Sequence, residues 1–431
     1  MSTILFFGIL LTYGAFRYGA VLALDWSLMD AGVGLMAAVY WLGRPPDRAP
    51  RDRLLIGLLA ALAGALSLQL LPTGWGTRTP GPTAEAVVRV AACLLALLTA
   101  RDLLWRYRHR PWFLAIPIVA AAFLESLLGL AQVSLGDAGT QARGTYVNRN
   151  HFAGLLELAL PLALTAGVWL FRQHGKFETP ASVAVKASLP LCAATSILLG
   201  ILFSLSRMGF LAAIASLGLV CVLSMSGSSP RTRWLPAVAV GIFLLAALIV
   251  LPPPQLVARF ADIASTENVS AGTRSRIWSE SAPLIRDAPL LGSGLGSYES
   301  VFMKYKVVAP MYRADFAHND YLQILIECGL AGFLPFAAIA LLAIGGALHA
   351  ATASPGEPER YLGIGCAGAL FALMIHSLAD FNLYIPANAL SAAWLAGICL
   401  GLRRLRPPRF SWRVVGTSTA AQSTRRPAVA L

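Results

Sequence analysis

Apolar runs long enough to cross about 30 Å of hydrocarbon at about 1.5 Å per residue recur along the whole chain. They fall at 3–24, 28–43, 54–72, 84–100, 112–133, 151–171, 183–203, 208–226, 234–252, 320–348, 361–379 and 386–402. The pattern predicts an all-α membrane protein of about 12 transmembrane helices. The second and the last two runs are short or glycine-rich, Arg17 interrupts the first, and Arg89 lies in the opening turns of the fourth. Between the ninth and tenth runs, residues 253–318 form a long polar loop, and a segment of that length is more often functional than a plain connection. Within it Val257, Phe260 and Ile263, then Ile277, Trp278 and Ile285, recur at helical spacing. They predict two short amphipathic helices lying on the membrane surface. Pro252, Pro253 and Pro254 end the ninth run. The chain divides into helices 1 to 5 (1–133), helices 6 to 9 (134–252), the loop (253–318), helices 10 to 12 (319–402) and a basic, polar tail (403–431).

Composition agrees. Of 431 residues, 57% are hydrophobic and 13% charged, against about 25% charged in soluble domains, which excludes an ordinary soluble enzyme. The formal charge of +13 raises nucleic acid as a partner, but in a membrane chain the first question is which side the cations occupy. With the N-terminus inside, the inner segments carry 21 basic residues, among them Arg51, Arg53, Arg101, Arg172, Arg360, Arg403 and Arg404. The short outer segments hold Arg78, Arg143, Arg149 and Arg207. This asymmetry predicts both termini in the cytoplasm and reads the tail as an anchor near anionic lipid, with no nucleic-acid partner. The N-terminus lacks the basic region of a cleavable leader and reads as a retained first span. Six cysteines, all inside apolar stretches, behave as small hydrophobes and imply no disulfide frame.

Placed by side, the unusual polar residues gather at the outer face. Arg143, Asn148, Arg149, Asn150 and His151 open the sixth span, and Ser206 and Arg207 form the hairpin between the seventh and eighth. Arg274 and Arg276 lie in the loop; His318, Asn319 and Asp320 open the tenth span, and His376, Asp380 and Asn382 close the eleventh. Every asparagine (148, 150, 268, 319, 382, 388) falls in an outer segment or near the outer end of a span, whereas His109, His174 and His349 fall on the other side. Arginine offers a permanent planar fork for phosphate oxygens, and a neutral imidazole can take a proton near pH 7. Together they suit a lipid carrying a phosphate or diphosphate, and transfer of the group attached to it.

Plainer readings stand beside these. An arginine at a span end is usually an interfacial anchor, and for Arg143 and Arg149 the two readings weigh equally. Arg207 sits in a hairpin between long apolar spans, where a charge needs a partner. Arg274 and Arg276 diverge on a helix, so at most one faces a site. Asp320 suits the positive end of a helix. From His318, helical steps reach Leu322, Leu325, Gly329 and Gly332 on one face, where small residues would let another helix approach beneath the histidine. Glu327, on the opposite face, reads as a structural intramembrane acid, and Glu125 and Glu157 as paired with unidentified groups. GSGLGS at 292–297 follows no strand and reads as a turn, not a nucleotide loop. No ligand spacing predicts a metal or a cofactor.

The stretch AHNDYLQILIECGLAG at 317–332 closely resembles the signature of the O-antigen ligase and polymerase superfamily of bacterial membrane glycosyltransferases. RGTYVNRNHFAGLLELALPLAL (143–164), SLSRMGFLA (204–212), TRSRIWSESAPLIRDAPLLGSGLGSY (273–298) and HSLADFNLYIPANA (376–389) agree in the same order. The resemblance implies a metal-independent, inverting transfer of a glycan from undecaprenyl diphosphate on the periplasmic side of the inner membrane. The acceptor would be a sugar hydroxyl of lipid A-core, as in an O-antigen ligase, or a second lipid-linked repeat, as in a polymerase. It implies His318 as the catalytic base and Arg207 with one or both of Arg274 and Arg276 as diphosphate ligands. Arg143, Asn148, Arg149, His151, Asn319, His376 and Asp380 would be supporting or acceptor-side residues. A twelve-span transporter fits less well, since transporters place polar groups near the midplane on internally repeated, broken helices.

Overall fold

The structure is a computed structural model that describes residues 1–43, 49–71, 77–137, 139–173, 179–226, 241, 269–307, 314–353 and 358–404. All regular secondary structure among them is helical. The main helices are α1 (Ser2–Phe16), α2 (Ala23–Leu42), α3 (Arg53–Gln69), α4 (Pro80–Arg106), α5 (Ile116–Leu135), α6 (Arg149–Arg172), α7 (Pro180–Phe203) and α8 (Arg207–Met225). After them come α9 (Val269–Asp287), α10 (Tyr298–Phe302), α11 (Asp320–Ala353), α12 (Pro358–His376) and α13 (Pro386–Leu402). Five of these, α5, α6, α7, α8 and α11, are long and apolar enough to cross a membrane, and α1, α3 and α13 are apolar but shorter. The expected ninth span, the first amphipathic loop segment around Phe260, and the tail from 405 onward lie outside the described residues.

The helices pack around α6, α12 and α13, whose residues are buried almost throughout. Glycines bring backbones together as lipid-embedded helices require: Gly397 of α13 lies against the Leu97 backbone of α4, and Gly365 of α12 lies against Leu162 of α6. Phe7 stacks on Trp394 with centroids 3.7 Å apart, and the Trp394 indole donates to the Leu114 carbonyl at 2.9 Å. Large apolar side chains such as Leu5, Leu35, Val185 and Leu341 face outward, a surface suited to lipid.

Two places differ from the sequence pattern. The first run, 3–24, is not one helix. It ends at Phe16, because Tyr18, Gly19 and Ala20 take left-handed φ values of 61°, 74° and 60°. Arg17 Nε pairs with Asp25 Oδ1 of α2 at 3.0 Å, so the arginine is accommodated by a turn and not inside a span. The second difference is in α11, which breaks at Gly329 (φ 57°, ψ −168°). The expected neighbour near Gly329 and Gly332 is a helix; the segment that docks at Gly329 is the loop after α9. Leu330 and Ala331 N–H donate to the carbonyls of Pro289 and Leu290, each at 2.9 Å. Ser293 and Gly294 N–H donate back to Ile326 and Glu327 at 2.9 and 3.0 Å. The Gln69 side-chain amide donates to Leu291 O at 2.6 Å and Glu327 O at 2.8 Å. A break among apolar helices is tolerable only where protein satisfies the freed backbone groups, and this loop does so.

GSGLGS is thus a turn, with Gly292, Gly294 and Gly296 at φ 74°, 110° and 76°. A Cβ on Gly292 or Gly329 would overlap the opposing backbone. Glu327 is held beside it as a structural acid, accepting from Tyr384 Oη at 2.8 Å and Tyr298 N at 3.1 Å.

The two ends of the bundle differ chemically. At one, Asp52 pairs with Arg403 and Arg404 at 3.4 and 2.7 Å. There Arg101 donates to Pro50 O at 2.5 Å, and Arg360 to Ala351 O at 3.1 Å. At the other end the imidazoles, asparagines and a buried carboxylate meet.

Candidate active site

Asp380 is the hub. It lies just beyond the end of α12, fully buried. Its Oδ1 is faced by His151 Nε2 at 3.5 Å and His318 Nδ1 at 3.6 Å. Its Oδ2 accepts from Asn150 Nδ2 at 2.8 Å and is faced by an Arg274 guanidinium nitrogen at 3.8 Å and His376 Nε2 at 3.9 Å. Burial alone would raise the pKa of this carboxyl. The His151 and His318 imidazoles, with the charge of His376 behind them, outweigh that and hold it well below the usual carboxylate range. Asp380 is therefore an anion at neutral pH.

Each partner arrives by local structure the sequence dictates. Asn148 caps α6, its side chain accepting from Asn150 N at 2.9 Å, which sets Asn150 and His151 in the first turn. Asn319 caps α11 by accepting from Leu322 N at 3.0 Å and ties it to Leu378 O at 3.0 Å. His318 stands before that helix, not in it, with φ 51°. Asp320 is buried at the α11 N-terminus, where it accepts from Ser377 Oγ at 2.6 Å. Phe381 lies edge-on to both rings, with centroids 4.6 Å from His151 and 4.9 Å from His318, and stacks on Phe316 at 4.0 Å. The Trp278 indole donates to Ala317 O at 2.9 Å, fastening α9, and with it Arg274, to the His318 turn.

The sequence-derived candidates separate cleanly. His151, His318, His376, Arg274 and Asp380 come together. Arg276 is exposed on another face of α9, as two-residue spacing on a helix requires. Arg207 opens α8, capped by Ser206; a Cβ on nearby Gly209 would lie 2.8 Å from the Ala153 Cβ and 3.1 Å from Glu157 Oε1, so this turn packs just below His151. Arg143 is exposed, the Arg149 guanidinium donates to Gln141, and Asn148 and Asn319 act as caps. The sequence pattern misses Phe316 and Phe381, places Asn150 only in the outer polar cluster and Trp278 only in an amphipathic pattern, and leaves the partner of Glu157 unidentified. That partner is His376, whose Nδ1 is 2.9 Å from Glu157 Oε1. Among the described residues no group of three or more His, Cys, Asp or Glu is disposed to hold a metal ion.

The three imidazoles differ in exposure. The His318 side chain is 32% exposed, against 7% for His151 and 0% for His376. With Nδ1 facing the Asp380 carboxylate at 3.6 Å, its Nε2 is the ring nitrogen turned away from that group, a geometry suited to a base oriented by a carboxylate.

The fold and this site define a multi-helix membrane protein with a buried polar cluster at one end of its bundle. Residues 192–337 match the family model described as O-antigen ligase. The matched range holds Arg207, Arg274, Arg276 and His318; His151, Glu157, His376 and Asp380 lie outside it. No curated protein matches the chain.

Proposed function

We propose that the protein is an O-antigen ligase, an inverting membrane glycosyltransferase that moves a glycan from undecaprenyl diphosphate to a sugar hydroxyl of lipid A-core. The observation that carries this reading is the accessible His318, its Nδ1 facing the buried Asp380 anion beside Arg274, within a chain whose matched family is O-antigen ligase. His318 Nε2 takes the acceptor hydroxyl proton as that oxygen attacks the anomeric carbon. The bond from this carbon to the diphosphate oxygen breaks, and undecaprenyl diphosphate leaves with the electron pair. Arg274 and Arg207 meet the charge gathering on the leaving diphosphate. Arg276, exposed on the opposite side of α9, is left out of that contact. Asp380 steadies the imidazolium formed at His318. The scheme uses no metal and no cofactor.

In this reading the chain has twelve spans with both termini in the cytoplasm. The site end faces the periplasm, and the arginine-rich end, holding Arg101, Arg360, Arg403 and Arg404, faces inward. A polymerase would share donor, face and base, and differ in its acceptor. The test is reconstitution of the purified protein with lipid-linked glycan and, separately, lipid A-core or a second lipid-linked unit. Glycan joined to lipid A-core is the expected product; elongated glycan still on undecaprenyl diphosphate would overturn the ligase assignment in favour of a polymerase.

A further inference from the structure

Beneath the site lies a titratable pair that the scheme above does not use. Glu157 of α6 is 1% exposed and His376, the last residue of α12, is 0% exposed. His376 Nδ1 lies 2.9 and 3.1 Å from the two Glu157 oxygens, and its Nε2 lies 3.9 Å from Asp380 Oδ2 with no hydrogen-bond partner in the structure. An ionisable pair at this depth is costly unless it has a task.

The geometry points to Glu157 as a positioning residue that fixes where the His376 proton sits: it keeps an N–H on Nε2, aimed at Asp380, and so holds the carboxylate that orients His318. This deepens, and rests on, the glycosyltransferase reading. Four arrangements of protons are available. A neutral His376 protonated only on Nδ1 would turn an Nε2 lone pair toward the Asp380 anion, and two like electron densities would then face each other in a dry interior. An unprotonated Glu157 facing a bare Nδ1 repels in the same way. Two arrangements remain. Either an imidazolium lies between the Glu157 and Asp380 carboxylates, or a protonated Glu157 donates to Nδ1 while Nε2 keeps the hydrogen. Both place two protons on the Glu157–His376 pair, and both aim Nε2–H at Asp380 Oδ2. The other titratable or charged groups facing this assembly are Asp320 at the start of α11, which accepts from Ser377 Oγ beside His376, with Arg274 from α9 and His151 from α6 on the far side of Asp380. With Oδ2 faced by His376, Asn150 and Arg274, Oδ1 accepts from Phe381 N at 2.9 Å and is faced by the two imidazoles His151 and His318.

The arrangement has a distinctive mutational signature. In Glu157→Gln the amide N–H can still donate to Nδ1 and preserve the Nε2–H tautomer. In Glu157→Leu only the Asp380 anion, 3.9 Å from Nε2, still favours it, so the tautomer is no longer fixed from the Nδ1 side. Expected for the full-length protein in proteoliposomes is a kcat within about threefold of wild type for Glu157→Gln. For Glu157→Leu a fall of about 10- to 100-fold is expected, the scale on which outer-shell partners act, with KM for the lipid-linked donor unchanged. As pH falls, protonation of His376 supplies the missing Nε2–H, so the ratio of Glu157→Leu to wild-type kcat should rise. Loss of packing alone gives a ratio that is flat with pH. Wild-type rates in Glu157→Leu, or Glu157→Gln falling as far as Glu157→Leu, would overturn the inference. Should Glu157→Leu fail to fold, 15N-imidazole NMR of the wild-type protein decides: Nε2 protonated at neutral pH supports the inference, and a bare Nε2 ends it. Wild-type protein inactive with every acceptor would count against the glycosyltransferase reading and leave the NMR result standing.

Discussion

Replacing Asp380 by Asn removes one charge and almost no volume, and so isolates the electrostatic part of the site. In the proposed reaction His318 passes from neutral to imidazolium, and the Asp380 anion, 3.6 Å from its Nδ1, stabilises the charged form alone. At an effective dielectric of about 20, a unit pair at that distance is worth about 4 to 5 kcal/mol. The Asn carbonyl retains a dipole toward the ring, and Arg274 no longer has its charge offset, so part of this is recovered in one direction and lost in the other. A loss of about 3 to 4 kcal/mol from the transition state is expected, or about 10²- to 10³-fold in kcat. The assay is single-turnover transfer from lipid-linked glycan in proteoliposomes, with donor binding measured separately. Because Asp380 is held well below the usual carboxylate range, it stays charged through the working pH. A variant that folds, binds donor and keeps kcat within threefold of wild type would refute the account of His318 as a base oriented by Asp380.

Arg274→Ala should weaken donor binding and cut kcat/KM by about 10²-fold, whereas Arg276→Ala should leave both within about twofold; reversed results would show the wrong arginine had been assigned. Gly329→Ala needs a side chain at φ 57° where a Cβ overlaps the Leu290 carbonyl, so thermal unfolding in detergent should fall by several degrees and activity should drop with it. Asp52 caps α3 and pairs with Arg403 and Arg404. Burial opposes its charge, but Arg404, the Leu55 N–H and Arg403 hold its pKa down. Its contribution is therefore present at neutral pH and lost as pH falls through the folded-state value. Asp52→Ala should cost about 1 to 2 kcal/mol at pH 7, and the gap to wild type should close under strongly acidic conditions.

Much of this was legible in the chain because lipid imposes simple rules. Eleven of the twelve apolar runs coincide with described helices in whole or in part, and the asparagine pattern marked the site: Asn148, Asn150, Asn319, Asn382 and Asn388 all lie at the site end of the bundle. The two-residue spacing of Arg274 and Arg276 already implied that they part company. Hydropathy has no means of reporting a break that other backbone groups repair, and that is why Gly329 read as part of a continuous helix. The union of His376 with Glu157, 219 residues apart in sequence, and the role of Asp380 as a shared centre, depend on how α6, α11 and α12 are arranged in three dimensions. No local pattern carries that. Phe381 and Phe316 went unassigned because an aromatic beside a span looks the same whether it faces lipid or an imidazole.

The loop that fills the gap in α11 has a consequence for how such chains can diverge. Residues 289–294 and 326–331 supply each other's hydrogen bonds, so each is fitted to its counterpart instead of to its own neighbours in sequence. A graft of either segment alone from a distant homologue should yield a protein that fails to assemble, while the two exchanged together should be accepted. The helix α9, which bears Arg274, leads directly into one half of this lock and the helix that follows His318 forms the other, which makes the parts bearing these two residues a single heritable module.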